Sequence, residues 1–116
     1  MPSKSFGPTT TTADTKTTIG AAYTVPKSGT VRRIRVAGYN AVTAKSGSAM
    51  LKVESDRQTG MLAEYAVNLG SGASVGDSSS EEIISPALSL EQGEIITVSV
   101  TSAEAVTDII VSIEWA

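Results

Sequence analysis

Three carboxylates and three hydroxyls stand together in the run Asp77-Ser78-Ser79-Ser80-Glu81-Glu82. Oxygen ligands of this kind suit hard cations such as Ca²⁺. The run lacks the alternating carboxylates and the fixed glycine of a calcium loop, so its spacing favours a solvated loop whose hydroxyls bond to the local backbone. The sequence therefore predicts no metal site here.

Acid–base catalysis lacks its usual groups in this chain. Glu81 and Glu82 are adjacent, and adjacent side chains of a strand point to opposite faces, so their carboxylates would not converge on a substrate. The chain has no histidine and no cysteine, which removes the commonest general base, thiolate metal ligands and disulfides. We therefore expect a protein that is not an enzyme and carries no cofactor.

Three arginines close together, Arg32, Arg33 and Arg35, could bind phosphates or the acidic surface of another protein. A phosphate-binding surface needs a broader basic patch and usually stacking aromatic side chains. Here only two tyrosines lie nearby in sequence, and the isoelectric point is about 4.8. We expect no nucleic-acid partner and interpret the three arginines as candidate assembly contacts with a partner protein.

Charge is divided unevenly along the chain. Residues 1–45 carry a net charge of +6 and residues 46–116 carry −9, which gives the overall −3. Two explanations stay open. The two parts pair within one sandwich, or complementary patches set the register between neighbouring subunits.

Alternation of apolar and polar side chains with a period of two begins at Thr15 and is typical of strands with one buried face. The 11 valines and 9 isoleucines against 5 leucines also favour sheet over helix. Turn residues bound seven such segments, at 15–25, 30–39, 49–54, 61–69, 81–90, 96–101 and 107–115. We therefore predict an all-β antiparallel sandwich, jelly-roll-like, with seven strands, or eight if the N-terminal segment contributes one.

Particular positions make this prediction specific. The alternation places Ala21, Tyr23, Tyr65, Thr107 and Trp115 inward, and Arg33, Arg35 and Tyr39 outward. Arg32 has the parity of the buried face, which indicates a strand entrance or a bulge. Pro86 cannot donate to a ladder, so segment 81–90 is expected to be interrupted or at a sheet edge.

The first 14 residues are rich in proline, serine and threonine and have one large apolar side chain, Phe6. Alone, such a segment cannot bury enough surface to become ordered. We interpret residues 1–14 as an extended arm and residues 15–116 as a single sandwich domain. The arm is either a frayed terminus or a segment that orders against a neighbour, with Phe6 as its candidate anchor.

Targeting signals are not evident. Residues 1–20 contain no apolar stretch of the kind found in signal peptides, and no run approaches the ~20 apolar residues that cross a bilayer. We expect a chain made in the host cytoplasm with no membrane partner.

Two stretches resemble a known architecture. Residues 84–100, ISPALSLEQGEIITVSV, resemble a jelly-roll passage in which an L-x-x-G-D/E-x-I-x-V hairpin precedes the last strand. Residues 23–34, YTVPKSGTVRRI, resemble an early strand pair of such domains. Small single jelly rolls of this type occur in viral capsid, decoration and spike proteins, in trimeric receptor-binding heads and in carbohydrate-binding modules.

The resemblance implies a virion structural protein that forms a homo-oligomer, with a trimer favoured, and docks on another capsid or structural protein. Carbohydrate-binding modules usually show exposed aromatic platforms, whereas the only tryptophan here has inward parity. A carbohydrate- or receptor-binding module is the alternative. A further alternative is a subunit of a β-sandwich filament in which the N-terminal arm is the donated strand.

Overall fold

A computed structural model describes residues 2–41, 47–57, 61–69 and 74–116, with the side chains of residues 61 and 62 excepted. These residues form ten strands. Their bounds are β1 Ser3–Thr9, β2 Thr17–Thr18, β3 Tyr23–Thr24, β4 Gly29–Asn40, β5 Ser48–Ser55, β6 Met61–Asn68, β7 Ser78–Ile84, β8 Ser89–Leu90, β9 Ile95–Ser102 and β10 Val106–Trp115. Within the described ranges no helix is long and apolar enough to cross a membrane.

The strands form two antiparallel sheets packed as a sandwich, which confirms the predicted fold class. The first sheet has the order β1-β10-β4-β7, with β8 also paired to β4, and the second has the order β2-β9-β5-β6, with β3 also paired to β9. Strands β2 and β3 can be counted as one interrupted strand, and so can β7 and β8. Every connection along the chain then runs from one sheet to the other, except the β5–β6 hairpin. This is the strand order of a jelly roll.

Two predicted strand segments are interrupted: segment 15–25, which was predicted as continuous, and segment 81–90, where the interruption expected at Pro86 is confirmed. Segment 15–25 breaks at Gly20, which has a φ of 69° and lies so close to β1 that a Cβ would sit 2.8 Å from the backbone nitrogen of Gly7. The inward position expected for Ala21 is therefore wrong, because that residue is exposed. Segment 81–90 breaks at Pro86, between Ser85 and Ala87, whose φ values of 49° and 58° no strand allows.

Strand β4 contains the bulge that the parity of Arg32 predicted. Glu114 of β10 pairs with Arg33, but the next residue, Trp115, pairs with Val31, so Arg32 is the extra residue. A second bulge, in β10, lies between Thr107 and Ile110. It makes Val106, and not Thr107 as expected, the buried residue at the start of β10.

The N-terminal segment is part of the first sheet. Residues Ser3–Thr9 pair with β10 as an edge strand, and Phe6 is 2% exposed. Beyond the strand, the hydroxyl of the buried Thr11 accepts a hydrogen bond from the backbone nitrogen of Val106 over 2.9 Å. The expectation that this segment reaches a neighbouring subunit stays a prediction.

Both sheets contribute inward side chains to one core. Trp115 is 1% exposed, and its indole nitrogen donates a hydrogen bond to the carbonyl oxygen of Lys27 over 2.8 Å. Tyr23 lies between Phe6 and Trp115, with edge-on ring contacts at 6.1 Å and 6.3 Å between centroids. The predicted period-two alternation is confirmed in the other strands, whose buried side chains are Ile34, Val36, Leu51, Val53, Val67, Ile96, Val98, Val100, Ile109, Val111 and Ile113.

A buried carboxylate holds the turn between β8 and β9. Glu94 is 4% exposed and accepts hydrogen bonds from the backbone nitrogen of Glu91 over 2.8 Å, from Nε of Arg57 over 3.1 Å and from the hydroxyl of Ser55. Burial raises the pKa of Glu94, but these hydrogen bonds and the charge of Arg57 outweigh burial and hold the pKa below its ordinary value.

Candidate interaction surface

The outward side chains of β10, β4 and β7 form one surface, which we call the outer face. Every second residue of a strand points to the same side of the sheet, so the register of the strands determines which residues belong to the outer face. Cross-strand pairs join Ile84 to Arg33, Glu82 to Arg35 and Ser80 to Ala37. The outer face comprises Arg33, Arg35, Ala37, Tyr39, Ser78, Ser80, Glu82, Ile84, Asp108, Ile110, Ser112 and Glu114.

Large apolar side chains are exposed on this surface. Ile84 is 64% exposed, Tyr39 46% and Ile110 41%. Only two other large apolar side chains are exposed among the described residues: Val75, in the loop before β7, and Ile95, on the second sheet. Exposed apolar area is therefore concentrated on the outer face.

Arg33 is already neutralised within the chain. Its Nη2 donates to Oε1 of Glu114 over 2.5 Å, and its Nη1 lies 3.6 Å from Oε1 of Glu82. The hydrogen bond with Glu114, followed by the charges of both carboxylates, raises the pKa of Arg33. The two acids come from the acidic part of the sequence, so internal pairing of the two parts of the chain occurs at this position.

Arg35 and Arg32 differ from Arg33 in this respect. Arg35 lies on the outer face between Glu82 and Ser112, is exposed, and its guanidinium makes no ion pair or hydrogen bond with any residue that the structure describes. Arg32 is exposed at the bulge, where its carbonyl oxygen accepts a hydrogen bond from the backbone nitrogen of Ser85 over 2.9 Å. The structure thus brings Arg33 and Arg35 onto one surface, and Arg32 is exposed at the bulge next to Arg33.

Phe6 is not part of this surface. Its ring is in the core against Tyr23, and the ammonium of Lys4 lies 5.9 Å from the ring centre of Phe6 and 5.2 Å from that of Tyr23. The side chain would become available to a neighbour only if β1 left its own sheet.

A hollow of about 300 Å³ opens in the outer face above Ala37. Its apolar lining comes from Ala37, Tyr39 and Ile110, and Asp108, which has a φ of 50°, lines it at the β10 bulge. We call this depression the Ala37 hollow. It is lined by Arg35, Ala37, Gly38, Tyr39, Ser78, Ser79, Ser80, Asp108 and Ile110.

A second depression, of about 380 Å³, lies on the outside of the second sheet. Lys16 forms an ion pair with Glu54 there, and Oδ1 of Asp56 accepts a hydrogen bond from the backbone nitrogen of Ile95 over 2.8 Å. The charged side chains that line it are thus already bonded within the chain.

The carboxylates weighed as cation ligands are separated in the structure. Oδ2 of Asp77 accepts a hydrogen bond from the backbone nitrogen of Ser74, Oε1 of Glu81 accepts one from Asn68, and Glu82 faces Arg33. Among the described residues, no group of three histidine, cysteine, aspartate or glutamate side chains could hold a metal ion.

Sequence reasoning selected the arginines of this surface and missed its apolar members. The inward parity of Ile109 was a signal that Ile110 lies outside, whereas the outward position of Ile84 follows only from its pairing with Arg33 in the structure. The sequence had no signal for the hollow, because the hollow depends on the β10 bulge beside Asp108.

No protein-family model matches the chain, and a search of curated proteins also finds no match.

Proposed function

We propose that the chain is a non-enzymatic structural protein that acts by associating with copies of itself and by docking on another capsid or structural protein, as a component of a virion. The observation that carries the proposal is the outer face. It combines three exposed large apolar side chains with Arg35, which has no ion pair among the described residues.

This composition is that of a surface suited to protein contact. Aromatic and arginine side chains dominate the binding energy of protein interfaces, and the buried centre of an interface is more apolar than the rest of a soluble surface, which is richer in lysine and glutamate. Tyr39, Ile84 and Ile110 lie on adjacent strands of one sheet, so a flat partner could cover all three together.

The virion part of the proposal is supported by the jelly-roll strand order, which is common in capsid proteins and also occurs in proteins of other functions. A shell or filament repeats each contact many times, so weak individual contacts suffice for assembly. Purified particles should contain the chain by mass spectrometry and bind a specific antibody in immuno-electron microscopy. Its absence from particles, together with its presence in free host cytoplasm, would contradict this placement.

Self-association is tested by the native mass in solution. Light scattering over a range of concentrations should give a mass above the 11.9 kDa of one chain. Ile110→Ser should return the mass to that of a monomer. Ile95→Ser is the matched control, because both side chains are 41% exposed but Ile95 lies on the second sheet. Equal effects of the two variants, or a wild-type monomer at high concentration, would overturn the proposal.

A carbohydrate- or receptor-binding module is the second candidate function, and the Ala37 hollow favours it. Tyr39 offers a ring for stacking on a sugar, while Arg35, Asp108 and the serines of β7 offer hydrogen bonds. A glycan array should then give signals that Tyr39→Ala abolishes and Tyr23→Phe retains. A blank array with an oligomeric protein would reject this candidate.

A further inference from the structure

The Ala37 hollow is lined by one cation and one anion that have no partner within the chain. Arg35 lines it from β4 and Asp108 from the β10 bulge, and neither side chain makes an ion pair or a hydrogen bond with the part of the chain that the structure describes. We propose that the hollow binds one pyranose ring that bears a carboxylate, with Arg35 on the carboxylate and Asp108 on the ring hydroxyls. The proposal rests on the second candidate function above and names its ligand class.

The register of the strands explains why Arg35 is free. Glu82 lies directly opposite Arg35 on β7, where side chains of opposite charge ordinarily attract each other. Glu82 instead lies 3.6 Å from Nη1 of Arg33, which is also bonded to Glu114. Arg33 thus holds one acid from each strand that flanks β4. The guanidinium of Arg35 is left for a ligand, and its planar fork can bind a carboxylate through two parallel hydrogen bonds.

Asp108 decides which kind of anion fits the hollow. Its φ of 50° lies in the left-handed region, and strained backbone conformations of this kind cluster at binding sites. The hydroxyl of Thr10 supports this conformation by accepting a hydrogen bond from the backbone nitrogen of Asp108 over 3.3 Å. The Asp108 carboxylate repels a phosphate or a sulfate, whose charge is spread over all its oxygens, but it accepts hydrogen bonds from hydroxyls. The ligand therefore has one anionic end and one hydroxylated end.

The size and the lining of the hollow fit a single sugar ring. Ala37 and Ser80 pair across β4 and β7, and their small side chains leave room between longer ones. The volume of about 300 Å³ is at the lower end for ligand pockets, which favours one ring over a chain of rings. Tyr39, which is 46% exposed, offers its ring to the apolar face of a sugar. The hydroxyls of Ser78 and Ser80 offer further hydrogen bonds.

Matched sugars test the contact with the carboxylate. The methyl glycosides of glucuronic and galacturonic acid differ from methyl glucoside and methyl galactoside at one carbon, which is a carboxylate in the acids and a hydroxymethyl group in the neutral sugars. Each sugar is titrated into isotope-labelled protein, and the shifts of backbone amide signals in NMR spectra give the site and the dissociation constant. We expect shifts at the residues of the Ala37 hollow and about tenfold tighter binding of the acids, because hydrogen bonds between charged groups are the stronger ones.

Two arginine variants separate a local contact from overall charge. Arg35→Gln removes the cation from the hollow and should lower the affinity for the acids about tenfold, to that for the neutral sugars. Arg32→Gln is the matched control, because it removes the same charge from an exposed arginine that does not line the hollow, and it should keep the preference for the acids. Ala37→Leu fills the hollow and should abolish all binding, while the fluorescence of Trp115 in urea verifies that this variant is folded.

The outcomes separate this proposal from the candidate function on which it rests. Shifts at the hollow with equal affinity for acids and neutral sugars would overturn the carboxylate contact and leave carbohydrate binding standing. A preference that both arginine variants weaken equally would also overturn it, because the preference would then reflect overall charge. If none of the four sugars shifts any signal at about 10 mM, both are overturned, whatever the native mass of the protein.

Discussion

Nε of Arg57 donates a hydrogen bond to Oε2 of the buried Glu94 over 3.1 Å, which ties the end of β5 to the turn before β9. Glu94 also accepts hydrogen bonds from the Ser55 hydroxyl and the Glu91 backbone nitrogen. All these donors favour the ionised carboxylate. The contact therefore makes the stability of the sandwich depend on the charge of one side chain.

Glu94→Gln should lower the free energy of unfolding by about 2 kcal/mol at pH 7, because a neutral amide cannot satisfy three donors that face it. Urea unfolding followed by the fluorescence of Trp115, the single tryptophan, measures the loss. Glu91→Gln is the control, because Glu91 is exposed and its own ion pair with Arg57, at 3.5 Å, is screened by solvent and contributes little. A Glu94→Gln protein as stable as the wild type would contradict the role of this carboxylate.

Acid should remove the contribution of Glu94 in the wild type. Because its folded-state pKa is lowered, the unfolded chain binds more protons as the pH falls below the ordinary value of 4.5. The stabilisation is complete above that pH and is lost as the pH falls through the lower, folded-state pKa. Unfolding curves from pH 7 to pH 3 should decline less steeply for Glu94→Gln than for the wild type. Parallel curves would show that other carboxylates govern the acid response.

Phe6→Ala should lower the free energy of unfolding by about 3–5 kcal/mol, as expected when a buried aromatic side chain leaves a cavity. Tyr39→Ala, which truncates an exposed ring, should cost far less at concentrations where the protein is monomeric. Chemical denaturation at low protein concentration compares them. A loss below about 1 kcal/mol for Phe6→Ala would mean that β1 is not part of the folded monomer.

Two alanine-to-glycine changes should have opposite signs. Ala87 has a φ of 58°, which disfavours any side chain, so Ala87→Gly should stabilise the fold by about 1 kcal/mol. Ala22 is exposed without a positive φ, so Ala22→Gly should destabilise it by about 0.5–1 kcal/mol, because glycine has more freedom to lose. Thermal unfolding should give a melting temperature above that of the wild type for Ala87→Gly and below it for Ala22→Gly. Two shifts of the same sign would contradict it.

Gly38→Ala should destabilise the fold by about 1–3 kcal/mol through overpacking. A Cβ at this position would lie 2.6 Å from Cγ1 of Val106 and 3.2 Å from Cγ1 of Ile109. Ser80→Ala, on the neighbouring strand, removes one exposed hydroxyl and should be nearly neutral. Calorimetry would distinguish them, and an unchanged melting temperature for Gly38→Ala would mean that the core can yield at this point.

Local alternation was sufficient to predict the two faces of the long strands, because burial on one side repeats every second residue. It placed Ile34 and Val36 inward and Arg33, Arg35 and Tyr39 outward, as the structure has them. The prediction failed at Gly20, because a close contact with β1 interrupts the strand there. It also failed at the β10 bulge between Thr107 and Ile110, because an extra residue shifts the alternation. The outward positions of Tyr39 and Ile110 followed from parity, whereas the position of Ile84 and the hollow required the three-dimensional register.

The pairing of β1 with β10 has a consequence for folding kinetics. The hydroxyls of Ser5 and Ser112, 3.0 Å apart in space, are separated by 107 positions in the chain. Strand β1 is synthesised early in translation and can therefore form its hydrogen bonds with a neighbouring strand only after β10 has been made. Chains dominated by such distant pairings lose the entropy of closing long loops before stabilising contacts form, and they fold in roughly milliseconds to seconds. Until that closure, the apolar edge of β10 is open to other nascent chains, so high-level expression favours aggregation over folding.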